Sequence, residues 1–97
     1  MARLALRITP AAETDLAEIW AYIAEDSPKV ATAFVAQIES KFEPLLDFPG
    51  MGAPRDQITP GLRAVPYKTY VIYYVADDRA VTIVRVVHGA RDVRALF

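Results

Sequence analysis

No cysteine occurs among the 97 residues of this chain, which excludes disulfides, thiolate metal sites and thiol nucleophiles. A reducing compartment is permitted without being required. A single histidine, His88, leaves too few imidazoles for a histidine-based metal site. There is no glycine-rich phosphate loop, no nucleophile elbow and no paired-carboxylate spacing, and no metal or other cofactor is expected. Long apolar runs are missing as well. The N-terminus, Met1-Ala2-Arg3-Leu4-Ala5-Leu6-Arg7, lacks the apolar core of a signal peptide, and no stretch reaches the length of a membrane span. The expected location is the cytoplasm, without a membrane partner. A basic excess is lacking too: the net charge is -1 and the pI about 5.7, which argues against strong direct nucleic-acid binding.

What the chain does have is an apolar share of 54% and a charged share of 24%, the balance of an ordinary globular protein. Its length suits one domain, residues 1–97, burying roughly 60 to 68% of the unfolded surface. Charge is unevenly spread. Residues 1–52 carry a balance of -4 and residues 53–97 one of +3, an acidic half joined to a mildly basic one.

Residues 3–8 alternate charge and apolarity, predicting a short strand with Leu4, Leu6 and Ile8 on one face. Thr9-Pro10 reads as a cap followed by a first-turn proline. Leu16, Ile19, Trp20 and Ile23 then recur at helical spacing with Asp15, Glu18 and Glu25 on the other side. Ser27-Pro28 repeats the start signal for a second helix with the stripe Ala31, Phe34, Val35, Ile38, Phe42, Leu45 and Leu46. The short connection predicts an αα-hairpin. Pro44 should kink or end that helix, with a final turn reaching Asp47. Residues 48–61 are dense in glycine and proline and read as a loop. Three strands follow, over 62–67, 69–76 and 81–88, the last two joined by a turn at Asp77-Asp78-Arg79. The expected fold class is α+β, in the order β-α-α-β-β-β: an antiparallel sheet carrying a helical hairpin on one face.

The last strand concentrates the chemistry. Six of the seven residues Val81-Thr82-Ile83-Val84-Arg85-Val86-Val87 are β-branched, and the exception is a cation. Alternation places Val81, Ile83, Arg85 and Val87 on one face and Thr82, Val84, Val86 and His88 on the other. A guanidinium against the helices would need a buried carboxylate, so Arg85 and its apolar neighbours are assigned to the uncovered face. Such a face means a partner, or the chain's own terminus folding back. Two roles stand open for Arg85, a contact to an anion or partner and a structural pair with Asp92, Glu13 or another acid. On the first, Arg85→Ala weakens function without unfolding the domain. Histidine is the side chain best suited to acid or base work, so His88 could transfer a proton, though a lone histidine at a strand end more commonly bonds the backbone. Arg91 and Asp92 lie too close in sequence for a catalytic dyad. Trp20 falls in the helix stripe, which predicts core packing.

Several fragments, in order, resemble a known family. They are Asp15-Leu16 with residues 19–24, Ser27-Pro28, Ala33-Phe34, Phe48-Pro49-Gly50-Met51-Gly52 with Arg55, Leu62-Arg63, residues 70–74, and the run from Ile83 to Asp92. Together they make the chain similar to the ParE-type toxins of the RelE/ParE toxin–antitoxin superfamily. The resemblance implies the fold already inferred. It also implies a toxin neutralised by a cognate antitoxin, ParD-like or related, in a toxin–antitoxin hetero-oligomer. A disordered antitoxin segment would fold on the toxin's surface. ParE-type toxins are understood to poison DNA gyrase by binding, trapping it with DNA cleaved, so no catalytic residues are expected. The residues expected to meet antitoxin or target are Val81, Ile83, Arg85, Val87, His88, Arg91 and Asp92. The other branch, RelE-like, cleaves messenger RNA on the ribosome. On that reading Arg63, Arg85 and Arg91 would stabilise phosphorane-like charge, but Phe97 stands roughly where the family's terminal acid/base would be and cannot transfer a proton. A third reading is a non-toxic relic that acts only in the antitoxin complex.

Overall fold

The computed structural model describes residues 3–97. Met1 and Ala2, part of the segment read above for a signal peptide, lie outside the described residues. Strand β1 (Ala5–Ile8) leads into helix α1 (Pro10–Ala24) through Thr9, whose extended backbone turns its hydroxyl toward the helix start. That oxygen accepts from the Ala12 N–H at 3.1 Å, as an N-cap should, and donates to the Val84 carbonyl at 2.8 Å. One side chain thus ties the end of β1, the start of α1 and the last strand together. Helix α2 (Pro28–Glu39) begins by the same device, with Ser27 Oγ accepting from the Val30 N–H at 3.2 Å.

The second helical stripe is interrupted as Pro44 requires. Helix α2 ends at Glu39, and a separate five-residue helix α3 (Glu43–Asp47) holds Pro44 in its first turn, where no N–H is needed. One expectation for α1 fails. Trp20 is 39% exposed, its indole N–H bonded to Thr32 Oγ1 at 3.1 Å, while Asp15, placed above on the polar side, is buried.

The remaining strands are β2 (Ala53–Pro54), β3 (Arg63–Tyr67), β4 (Tyr70–Ala76) and β5 (Ala80–His88), followed by a short 3-10 turn (Arg94–Leu96). The fold is α+β, and the expected elements occur in their expected order with α3 and β2 added between α2 and β3; the sheet needs two corrections. The sheet has five strands, β1-β5-β4-β3-β2, and it is mixed, because β1 runs parallel to β5 while the other pairs are antiparallel. No local turn joins β1 to β5, so only tertiary packing sets the direction of that pair.

A β-bulge changes the meaning of the last strand. Tyr74 pairs with Ile83 and Tyr73 with Arg85, leaving Val84 as the extra residue. Alternation is reset there, so Val81 and Ile83 before the bulge and Val86 after it all face the helices, each 2% exposed or less. Val87 faces the opposite way, into a second cluster with Leu62, Ala64 and Tyr73. The assignment of Val81, Ile83 and Val87 to one open face is therefore corrected. Two lie in the main core, and Val87 lies beneath the chain's own C-terminal segment, where Val93 and Leu96 pack and the Phe97 ring meets Tyr73 edge-on at 5.6 Å.

Candidate interaction surface

Helical spacing puts Asp15, Ile19 and Tyr22 on one flank of α1, and the bulge delivers Arg85 to the same place. Asp15 accepts from Arg85 Nε at 2.7 Å and Nη2 at 2.8 Å, a bidentate pair, and from the Val86 backbone N–H at 2.9 Å. The side chains are 6% and 18% exposed. This is the buried carboxylate that a guanidinium against the helices demands, so the placement of Arg85 on the uncovered face is corrected for that reason. Its hydrogen bonds to Asp15 hold the guanidinium above its ordinary pKa, against the opposing effect of burial. The signal that could have revealed Asp15 was its spacing from Ile19 and Tyr22, on a stripe read as polar because of its charge.

His88 keeps the backbone role. Its Nδ1 accepts from the Ala90 N–H at 3.1 Å, and its ring meets Tyr70 edge-on at 5.7 Å. Beside it opens a cleft of about 170 Å³ where the α1 flank meets the end of β5, with Glu18, Tyr22, Tyr70, His88 and Arg91 among its walls. Among the described residues Arg91 has no carboxylate within salt-bridge distance. Asp92 turns away to its own segment, accepting from the Arg94 N–H at 3.2 Å, and that backbone bond, then the Arg94 side chain, holds its carboxyl below the usual range.

Arg63 works elsewhere. Its Nη1 donates to the carbonyls of Gly50 at 3.1 Å and Gly52 at 2.7 Å. The Tyr74 hydroxyl donates to the Pro49 carbonyl at 2.7 Å and accepts from the Gly52 N–H at 2.9 Å. These two side chains clamp the loop after α3, which holds Phe48 and Met51 out in solvent, 68% and 58% exposed. Arg63 pairs across from Tyr74, whereas Arg91 lies beyond His88, which pairs with Tyr70. That is about 13 Å along β4. The three arginines named for phosphate chemistry do not converge.

Comparison with known proteins gives a consistent result. Residues 6–93 match the family described as ParE toxin of type II toxin-antitoxin system, parDE. The chain is 33% identical over 82 residues to Toxin ParE3 of Caulobacter vibrioides, covering 84% of this chain and 82% of that protein. It is 29% identical over 90 residues to Toxin ParE1 of the same organism, covering 92% and 93%. Among solved structures, a chain of the chromosomal ParDE system from P. aeruginosa superposes with a TM-score of 0.76 at 24% identity, covering 89% of this chain and 96% of that one. A chain of the RelBE2 toxin–antitoxin complex from Mycobacterium tuberculosis gives 0.64 at 27% identity, covering 90% and 99%.

Proposed function

We propose that this chain, which belongs to the ParE toxin family of type II toxin–antitoxin systems, acts by binding rather than by catalysis, with DNA gyrase as its target and a cognate antitoxin as its inhibitor. The observation that carries this reading is the bidentate Asp15–Arg85 pair. The cation at the heart of the last strand has its Nε and Nη2 donors committed to a buried carboxylate, so it is not free to turn to a scissile phosphate. Arg63 is likewise engaged by loop carbonyls, and Phe97 supplies no proton. What the surface does present suits binding: a cleft with aromatic walls, and Phe48 and Met51 held out on a clamped loop. An antitoxin segment that folds as it binds fits such a surface.

A messenger ribonuclease is the second reading, favoured by His88 and Arg91 sharing the cleft with Tyr70. Purified toxin added to gyrase and supercoiled plasmid separates the two. Linear, protein-linked DNA is expected, and its absence together with messenger cleavage in a translation extract overturns gyrase poisoning in favour of the ribonuclease. Inertness in both assays, with antitoxin binding retained, identifies a relic that acts only in complex.

A further inference from the structure

Met51 carries the one sulfur atom among the described residues, since the chain has no cysteine and its other methionine is Met1. It is 58% exposed, and the loop keeps it there. Its own N–H donates to the Phe48 carbonyl at 3.1 Å. The residues on either side are held as well, the Gly50 carbonyl by Arg63 Nη1 and Gly52 by Arg63 at its carbonyl and by the Tyr74 hydroxyl at its N–H. Gly52 is buried against the Tyr74 ring with no room for a Cβ, so the loop has no inward space in which to hide the thioether. An open space of about 530 Å³ lies against Asp47, Phe48, Pro49, Gly50 and Met51. A small solute therefore has free access to this side chain.

An aliphatic side chain would give the loop the same apolar surface, but a thioether adds a nucleophilic lone pair. With hydrogen peroxide, the sulfur takes one oxygen: an S–O bond forms, the O–O bond breaks, and the proton of the transferred oxygen passes to the departing hydroxide, which leaves as water. Sulfur is oxidised by two electrons and the peroxide is reduced by two. A polar sulfoxide then stands beside Phe48 and Pro49, where an apolar group stood. The clamp uses only backbone atoms of residues 49–52, and the reaction touches none of them. Oxidation thus alters what the loop presents and leaves how it is held.

We propose that Met51 is a redox modification site, at which an oxidant of the peroxide class makes the reversible sulfoxide and so weakens the toxin's hold on its target while the fold stands. The inference rests on the reading of this chain as a toxin that acts by binding, and adds a means of regulating the clamped loop. In the test, purified full chain is treated with hydrogen peroxide, the excess is removed with catalase, and the product is mapped by tryptic digestion, melted, and added to gyrase with supercoiled plasmid. The peptide of residues 42–55 is expected to gain about 16 Da, at a rate within about threefold of that of the same peptide free in solution. The melting temperature is expected to stay within about 3 °C of the untreated value. The toxin concentration giving half-maximal DNA cleavage is expected to rise about fivefold or more, and to return to its untreated value after methionine sulfoxide reductase has acted. Met51→Leu, whatever its own starting potency, is expected to behave alike with and without peroxide. Protection of Met51 by about tenfold or more, a larger fall in melting temperature, an equal loss of potency in treated Met51→Leu, or full potency with the sulfoxide formed overturns the proposal. Untreated toxin that leaves gyrase unaffected fails the reading of the target instead, and potency before and after peroxide is then compared in whichever of the messenger and antitoxin-binding assays is positive.

Discussion

Asp15 is the residue on which most depends, because it satisfies a guanidinium and a bulge amide at once. Removing one member of a buried pair strands the other, at a cost of about 3 to 5 kcal/mol. Asp15→Ala and Arg85→Ala are each expected to lower the melting temperature by more than about 10 °C in a domain of this size. The double variant Asp15→Leu/Arg85→Met is expected to lose less than either single change, and thermal unfolding of all three measures it. This reverses the expectation from sequence that Arg85→Ala spares the fold. A second prediction concerns Gly52, where an added Cβ would stand 2.6 Å from the Tyr74 ring and hydroxyl. Gly52→Ala must displace that ring, so a loss of about 2 kcal/mol is expected, with disordering of the loop that carries Phe48 and Met51. Wild-type amide exchange at Met51 and at position 52 in the variant would contradict it.

Elements are joined here by side chains at their ends. Thr9 caps α1 and donates to the bulged strand, whereas Ser27 caps α2 alone. Thr9→Ala is therefore expected to cost about 1.5 to 2.5 kcal/mol and Ser27→Ala about 1 kcal/mol or less, read from denaturant unfolding. The β4–β5 hairpin is closed by Asp77, whose Oδ1 accepts from the N–H groups of Arg79 at 2.8 Å and Ala80 at 2.9 Å. Those bonds, Arg79 first, hold its carboxyl below the usual range. A lowered folded-state pKa means the carboxylate's contribution is present above the unfolded value of about 3.9 and lost as pH falls through the folded value. The amide shifts of Arg79 and Ala80 are expected to titrate with a midpoint below about 3.9, and to stop titrating in Asp77→Asn. Both cap signals, Thr9-Pro10 and Ser27-Pro28, were legible in the sequence because capping is local chemistry. The effect of Pro44 was legible for the same reason.

Over the whole molecule, the sheet is covered on both faces, by helices on one side and by the C-terminal segment on part of the other. Val93 and Leu96 lie over a cluster that includes Tyr73 and Val87. Both are only half-buried, so Val93→Ala/Leu96→Ala is expected to cost about 2 kcal/mol and to raise binding of an apolar dye as the second face opens. An unchanged melting temperature would show the segment to be loosely held. The cleft and the clamped loop stay open to solvent.

The sequence by itself determined the starts of the two long helices, four of the five strands and the family, because each follows from local propensity, short-range periodicity or a run of side chains in order, whereas the two-residue β2 lay inside the stretch read as loop. The sequence also singled out the last strand and His88, whose bond to the backbone is the role expected of it. The tertiary structure alone decided which way that strand faces. A single extra residue at Val84 inverts the alternation, and nothing in a run of β-branched residues marks where the ladder slips. Only packing brings Asp15 to Arg85 from seventy residues away, turning the most conspicuous candidate for chemistry into a structural pair and leaving recognition to the residues around the strand's end.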